Sequence, residues 1–127
     1  MARDRALKVI LVVVGLFFSA AVYPAVGGLF HPVDSDTGDT MQMAIYACLG
    51  VFLLISVRNP SAHRSVIAFA AWSSFAHAAV MGTLGIEMAS MRTGFLITSG
   101  ILVVIGVTLL ALLPRKRRAQ QESAAAA

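Results

Sequence analysis

Two long uncharged runs constrain this chain more than anything else in it. Val9–Phe30 carries no charge over 22 residues, and Gly94–Leu113 none over 20. As helices they extend about 33 Å and about 30 Å, enough to cross a hydrocarbon core of about 30 Å. Two further apolar segments lie between them, Met41–Val57 and a stretch running from Ser65 to Leu84. With 127 residues, the chain is one domain at most. Hydrophobic residues make up 58% of it and charged residues 13%, against about 45–50% and about 25% in soluble domains. A water-soluble domain this small has too little interior to hide that much apolar surface. The expected fold is all-α, a four-helix transmembrane bundle with spans near 9–30, 41–57, 65–84 and 94–113. A basic N-terminus, 1–8, precedes it, and a tail, 114–127, basic and then disordered, follows.

The boundaries follow from local chemistry. Ser19-Ala20-Ala21 could pass for a signal-peptide cleavage site. Signal h-regions are only about 7–15 residues long, however, whereas this run continues to Phe30, so a retained span is expected. Charge alone does not decide whether that span is ever cleaved. Pro24 should bend it in its outer third. The loop from Phe30 to Thr40 is acidic and rich in turn formers, with Asp39 or Thr40 as the expected cap of the second span. Arg58-Asn59-Pro60 ends that span, because the residue before proline resists helical dihedrals. Ser61 is the expected N-cap of the third.

A net charge of +4 raises the question of nucleic acid. The cations lie between and outside the apolar runs with no aromatic interleaving, so no nucleic-acid partner is expected. With the N-terminus inside, Arg3, Arg5, Lys8, Arg58, Arg64 and the Arg115–Arg118 run share one side, leaving Arg92 as the only outer cation. Cytoplasmic loops carry the excess of Lys and Arg. Both termini are therefore expected in the cytoplasm, in a multi-pass protein of the cell (inner) membrane. The implied partners are the lipid bilayer, anionic head groups at the cytoplasmic face, and a second copy or a partner membrane subunit. Each basic residue near an anionic surface contributes on the order of 1 kcal/mol of attraction.

Few residues carry chemistry. Ala70, Ser74, Ala78 and Gly82 form a small-residue stripe at four-residue spacing, which lets helix backbones approach closely in lipid. His77 borders that stripe, near Ser73 and Ser74, while Trp72 lies roughly 200° around the wheel from Ala70. Intramembrane ionisable residues are costly and raise a functional hypothesis, yet a neutral histidine hydrogen-bonded to a carbonyl or serine is the first reading of His77. Imidazole and thioether suit copper or haem iron, which makes His77, His31 and Met81 metal candidates. Methionine is also a common filler in apolar helices. His63 and Arg64 sit in the inner turn, where topology and lipid attraction account for them. The Asp34–Asp39 run echoes the start of a calcium loop but lacks the glutamate at position twelve. The single cysteine, Cys48, excludes an intramolecular disulfide and reads as a packing residue. No span holds a carboxylate, and there is no phosphate loop and no histidine pair at i, i+4 spacing. Nothing here asks for an enzyme or a bound cofactor.

Leu49-Gly50-Val51-Phe52-Leu53-Leu54, Arg58-Asn59-Pro60-Ser61-Ala62-His63-Arg64-Ser65 and Ala71-Trp72-Ser73-Ser74-Phe75-Ala76-His77-Ala78 together resemble an uncharacterised bacterial family of small multi-span proteins, a domain of unknown function. The resemblance covers Met41–Met81. It implies a multi-span membrane fold without a known activity, and marks Pro60, His63, Arg64, Trp72, Ser73, Ser74 and His77 as the signature. The leading expectation is a non-enzymatic structural or accessory subunit that packs through its third span. The alternatives are a small oligomeric transporter or channel with His77 in a polar path, and a haem- or copper-binding redox or sensor protein.

Overall fold

The structure is a computed structural model that describes residues 2–33 and 36–127, with the side chains of 117–120 outside the description. The chain is all-helical over the described residues and divides into two compact units, Met1–Pro60 and Ser61–Ala127.

The first unit contains α1 (Ala2–Ser19), α2 (Val22–Phe30) and α3 (Thr37–Ser56). The break between α1 and α2 traces to Pro24, which lacks an N–H and whose ring collides with the carbonyl four residues back, that of Ala20. The backbone answers with tighter bonds: Ala21 N donates to Phe18 O at 3.0 Å, and Tyr23 N to Ala20 O at 3.1 Å. Helical spacing resumes when Ala25 N donates to Ala21 O. Asp36 caps α3 by accepting from Gly38 N at 2.7 Å and Asp39 N at 3.3 Å. The cap expected at Asp39 or Thr40 therefore falls earlier. A first turn standing in polar surroundings need not be apolar, so the helix begins before the hydrophobic run does. Buried positions recur at Leu7, Leu11, Val14 and Phe18 on α1, and at Tyr46, Leu49, Leu53 and Ser56 on α3. That spacing alternates three and four, the signature of a narrow packing seam. The helices run antiparallel: Gly28 meets Thr40, Phe18 meets Tyr46 (ring centroids 4.9 Å apart), and Gly15 meets Gly50 and Leu54.

The second unit contains α4 (Arg64–Glu87), α5 (Arg92–Leu112) and α6 (Lys116–Ala126). Ser61 is not the cap of α4. It lies buried in the preceding turn, and His63 occupies the cap position without a side-chain bond, its carbonyl accepting from Ile67 N at 3.2 Å. Antiparallel packing again holds throughout: Gly85 lies against Leu96, Gly82 against Ser99, Phe75 against Gly106, and Arg64 reaches Pro114. Two arginines tie the ends of this hairpin. Arg92 Nε and Nη2 donate to the carbonyls of Gly85 and Ile86, both at 3.2 Å, and Arg64 Nε donates to Pro114 O at 2.7 Å. The last carbonyls of a helix have no intrahelical donor, and Arg92 supplies donors to two of them on α4, while Arg64 serves a carbonyl just beyond the end of α5. Where the tail was expected to pass from basic to disordered, over 119–127, α6 runs on to Ala126, consistent with its strong helix formers Ala, Lys, Arg, Gln and Glu.

Four helical segments are long and apolar enough to cross a membrane: Ala2–Phe30, Thr37–Ser56, Arg64–Glu87 and Arg92–Leu112, of 29, 20, 24 and 21 residues. Outside the packing seams, many of their large apolar side chains stand outward. Leu16, Phe17, Phe69 and Val104 are each more than half exposed.

Candidate functional site

The residues singled out by the sequence gather on α4 and the turn before it. Ser74 is fully buried and donates to Ala70 O at 2.7 Å, while half-buried Ser73 donates to the same oxygen at 3.1 Å. Both hydroxyls are therefore satisfied inside their own helix. Ala70 and Ala78 are buried as well, and Gly82 is half-buried. The lower part of this stripe is a contact with α5, where Ser99 Oγ donates to Ala78 O at 2.8 Å and a β-carbon on Gly82 would stand 3.3 Å from that oxygen. Trp72 is 63% exposed and meets Phe75 edge-on at 5.6 Å.

His77 is half-buried on α4, with Met81 half-buried one turn further along. His31 is exposed at the end of α2 and belongs to the other unit. Among the described residues, no three of the His, Cys, Asp and Glu side chains gather where they could share a metal ion. Of the calcium-like run, Asp34 and Ser35 lie outside the described residues, and Asp36 directs its carboxylate to the first turn of α3. Cys48 is exposed on α3 rather than packed in an interior, and in a span of this kind an outward thiol is compatible with lipid. His63 and Arg64 are both half-buried, and Arg64 is committed through Nε to Pro114.

Several structural residues escaped the sequence reading. Gly15, Gly50 and Gly106 each mark a point where one helix presses on another. A β-carbon on Gly50 would strike the backbone nitrogen of Ser19 and lie 2.7 Å from Gly15 O. The signal was present: Gly15 and Ser19 are small residues at four-residue spacing, and an interior helical glycine costs about 1 kcal/mol relative to alanine. Ser19 Oγ, at this crossing, is buried without a hydrogen-bond partner.

The model of one protein family, described as a family of unknown function (DUF6632), matches residues 3–125. The chain belongs to that family. The membership extends the resemblance seen over Met41–Met81 to nearly the whole chain, so both units and the turn between them are parts of the DUF6632 domain. Neither curated proteins nor solved structures yield a match.

Proposed function

We propose that this DUF6632 protein is a multi-pass membrane protein of the cell (inner) membrane that acts by helix packing, as a structural or accessory subunit without catalysis of its own. The observation that carries the reading is where the span hydroxyls go. Ser56, Ser73, Ser74, Thr83, Thr98 and Thr108 each donate to a carbonyl three or four residues back on the same helix. Ser99 donates to the neighbouring helix. Polar groups that serve their own backbone stabilise helices in lipid and leave little to coordinate a passing solute. The outward apolar side chains suit lipid or another apolar span.

The charge pattern supports an orientation with both termini in the cytoplasm. Antiparallel packing brings Arg3, Arg5 and Lys8 to the same end of the first unit as Arg58, with Asp36 and Asp39 at the other. In the second unit, Arg64 shares its end with Arg115 and Lys116. Lys and Arg excess marks the cytoplasmic side.

Reconstitution into liposomes tests the reading against transport. The full chain should leave proton and monovalent-ion leak at the level of empty vesicles, in the native protein and in His77→Ala alike. Flux that depends on His77 would replace the packing role with a polar path.

A further inference from the structure

We propose that the basic end of the second unit, organised by Arg64, docks the phosphodiester head groups of anionic lipids. The inference rests on the membrane reading above and adds a located site to it.

Arg64 is the first residue of α4, and its Nε donates to Pro114 O at 2.7 Å. That bond fixes one edge of a planar guanidinium. The bond uses Nε alone, and among the described residues no hydrogen bond engages the Nη edge, the edge that can act as a rigid fork. Forks of this kind match phosphate oxygens two at a time, and their pre-organisation reduces the entropy lost on binding. The backbone runs extended through Leu113 and Arg115, with ψ of 127° and 144°, so exposed Arg115 and Lys116 follow directly on the carbonyl that holds Arg64. No ion pair engages any of the three cations among the described residues. Of the unit's two carboxylates, Glu87 stands at the opposite end of α4, beside the turn into α5, and Glu122 lies on α6, six residues beyond Lys116.

Position supplies the choice of ligand. Arg64 and Pro114 flank two helices long and apolar enough to cross a membrane. In a spanning hairpin they lie where hydrocarbon gives way to head groups, at the depth of the lipid phosphates. A half-buried guanidinium at that depth, with exposed Arg115 and Lys116 beside it, complements a phosphodiester already present at high local concentration.

The test uses the full chain purified in a zwitterionic detergent and offered phosphatidylglycerol or phosphatidylcholine, with bound lipid counted by native mass spectrometry. Phosphatidylglycerol should be retained about tenfold more than phosphatidylcholine, as expected for a few cations acting together. Arg64→Gln and the double variant Arg115→Gln/Lys116→Gln should each bring retention down to the phosphatidylcholine level. Arg64→Lys, which keeps the charge but loses the fork, should fall between. Removing equal charge from the first unit, with Arg3→Gln/Arg5→Gln, should change nothing. Equal retention of the two lipids overturns the proposal, as does a loss that follows net charge wherever it is removed. Displacement of the lipid by millimolar inorganic phosphate also overturns it, by showing a free-anion site instead. Failure of the membrane reading is seen separately, as a chain that stays soluble without detergent.

Discussion

The ring of Phe75 fills the notch that Gly106 leaves in α5: a β-carbon at position 106 would stand 2.6 Å from Phe75 Cε1 and 2.8 Å from Cζ. Neither residue attracts notice alone. Together they set how closely α4 and α5 approach.

Gly106→Ala should therefore destabilise the second unit by about 1–3 kcal/mol, the usual range for overpacking a tight contact. Phe75→Leu in the same chain should recover much of the loss, because the shorter side chain withdraws from the notch. Denaturant titration in detergent, followed by circular dichroism, measures both. Additive losses in the double variant would show that the two residues do not share one contact.

Gly50 should tolerate a methyl group less well than Gly106. Its obstacles are the Ser19 backbone nitrogen and Gly15 O rather than a side chain, and backbone cannot step aside without moving a helix. Gly50→Ala is expected to cost about 3 kcal/mol or more. Gly100 makes the contrast, since nothing stands within 4 Å of a β-carbon there. Gly100→Ala should stabilise by about 0.5–1 kcal/mol through helix propensity. The same titration ranks all three variants, and an equal response at positions 50 and 100 would contradict the close crossing.

Much of this was legible in the sequence, and the parts that were not share a physical cause. Runs of uncharged residues announce helices that suit lipid, because each backbone polar group must be paired inside the element that crosses. Pro24 announced a bend, and the helix indeed breaks one turn earlier, at Ala20-Ala21. Helix α3 starts at Asp36, ahead of its apolar run, since that pattern marks the hydrocarbon boundary and not the first hydrogen-bonded turn, whereas α4 starts two residues later than the capping chemistry of Ser61 suggests. The helix of the tail has no apolar pattern to reveal it and follows from the helix propensity of its residues. Ala70, Ser74, Ala78 and Gly82 could be found by spacing. The partners of a small residue could not: that Gly106 receives Phe75, or that Ser99 reaches Ala78, depends on a register that only packing decides.

Two buried or half-buried serines should respond differently to removal of the hydroxyl. Ser99→Ala deletes the bond from α5 to Ala78 O on α4, and is expected to weaken the unit by about 0.5–1.5 kcal/mol. Ser74→Ala deletes a bond to Ala70 O within α4, an oxygen that also has its helical partner, and should change stability by less than about 0.5 kcal/mol. A larger loss at Ser74 than at Ser99 would show that the serine of the small-residue stripe does more than serve its own helix.

Asp36 holds the start of α3 through Gly38 N and Asp39 N. Asp36→Ala should cost about 1 kcal/mol, whereas Asp36→Asn, also a good cap, should cost little. Hydrogen exchange at the amides of Gly38 and Asp39 gives the local readout. Exchange should quicken in the alanine variant alone, and unchanged protection would show that the first turn is held by other means.

Side-specific cysteine labelling tests most directly the proposed topology, four helices crossing a membrane with both termini in the cytoplasm. In a Cys48→Ser background, single cysteines would replace Val33, Ala62, Ser90 and Ser123, each an exposed position outside the four spans. In intact cells, a membrane-impermeant maleimide should label positions 33 and 90, and reach 62 and 123 only after permeabilisation. Labelling of 62 or 123 from outside, with 33 and 90 protected, would reverse the orientation. Labelling of all four from outside would contradict the crossing itself.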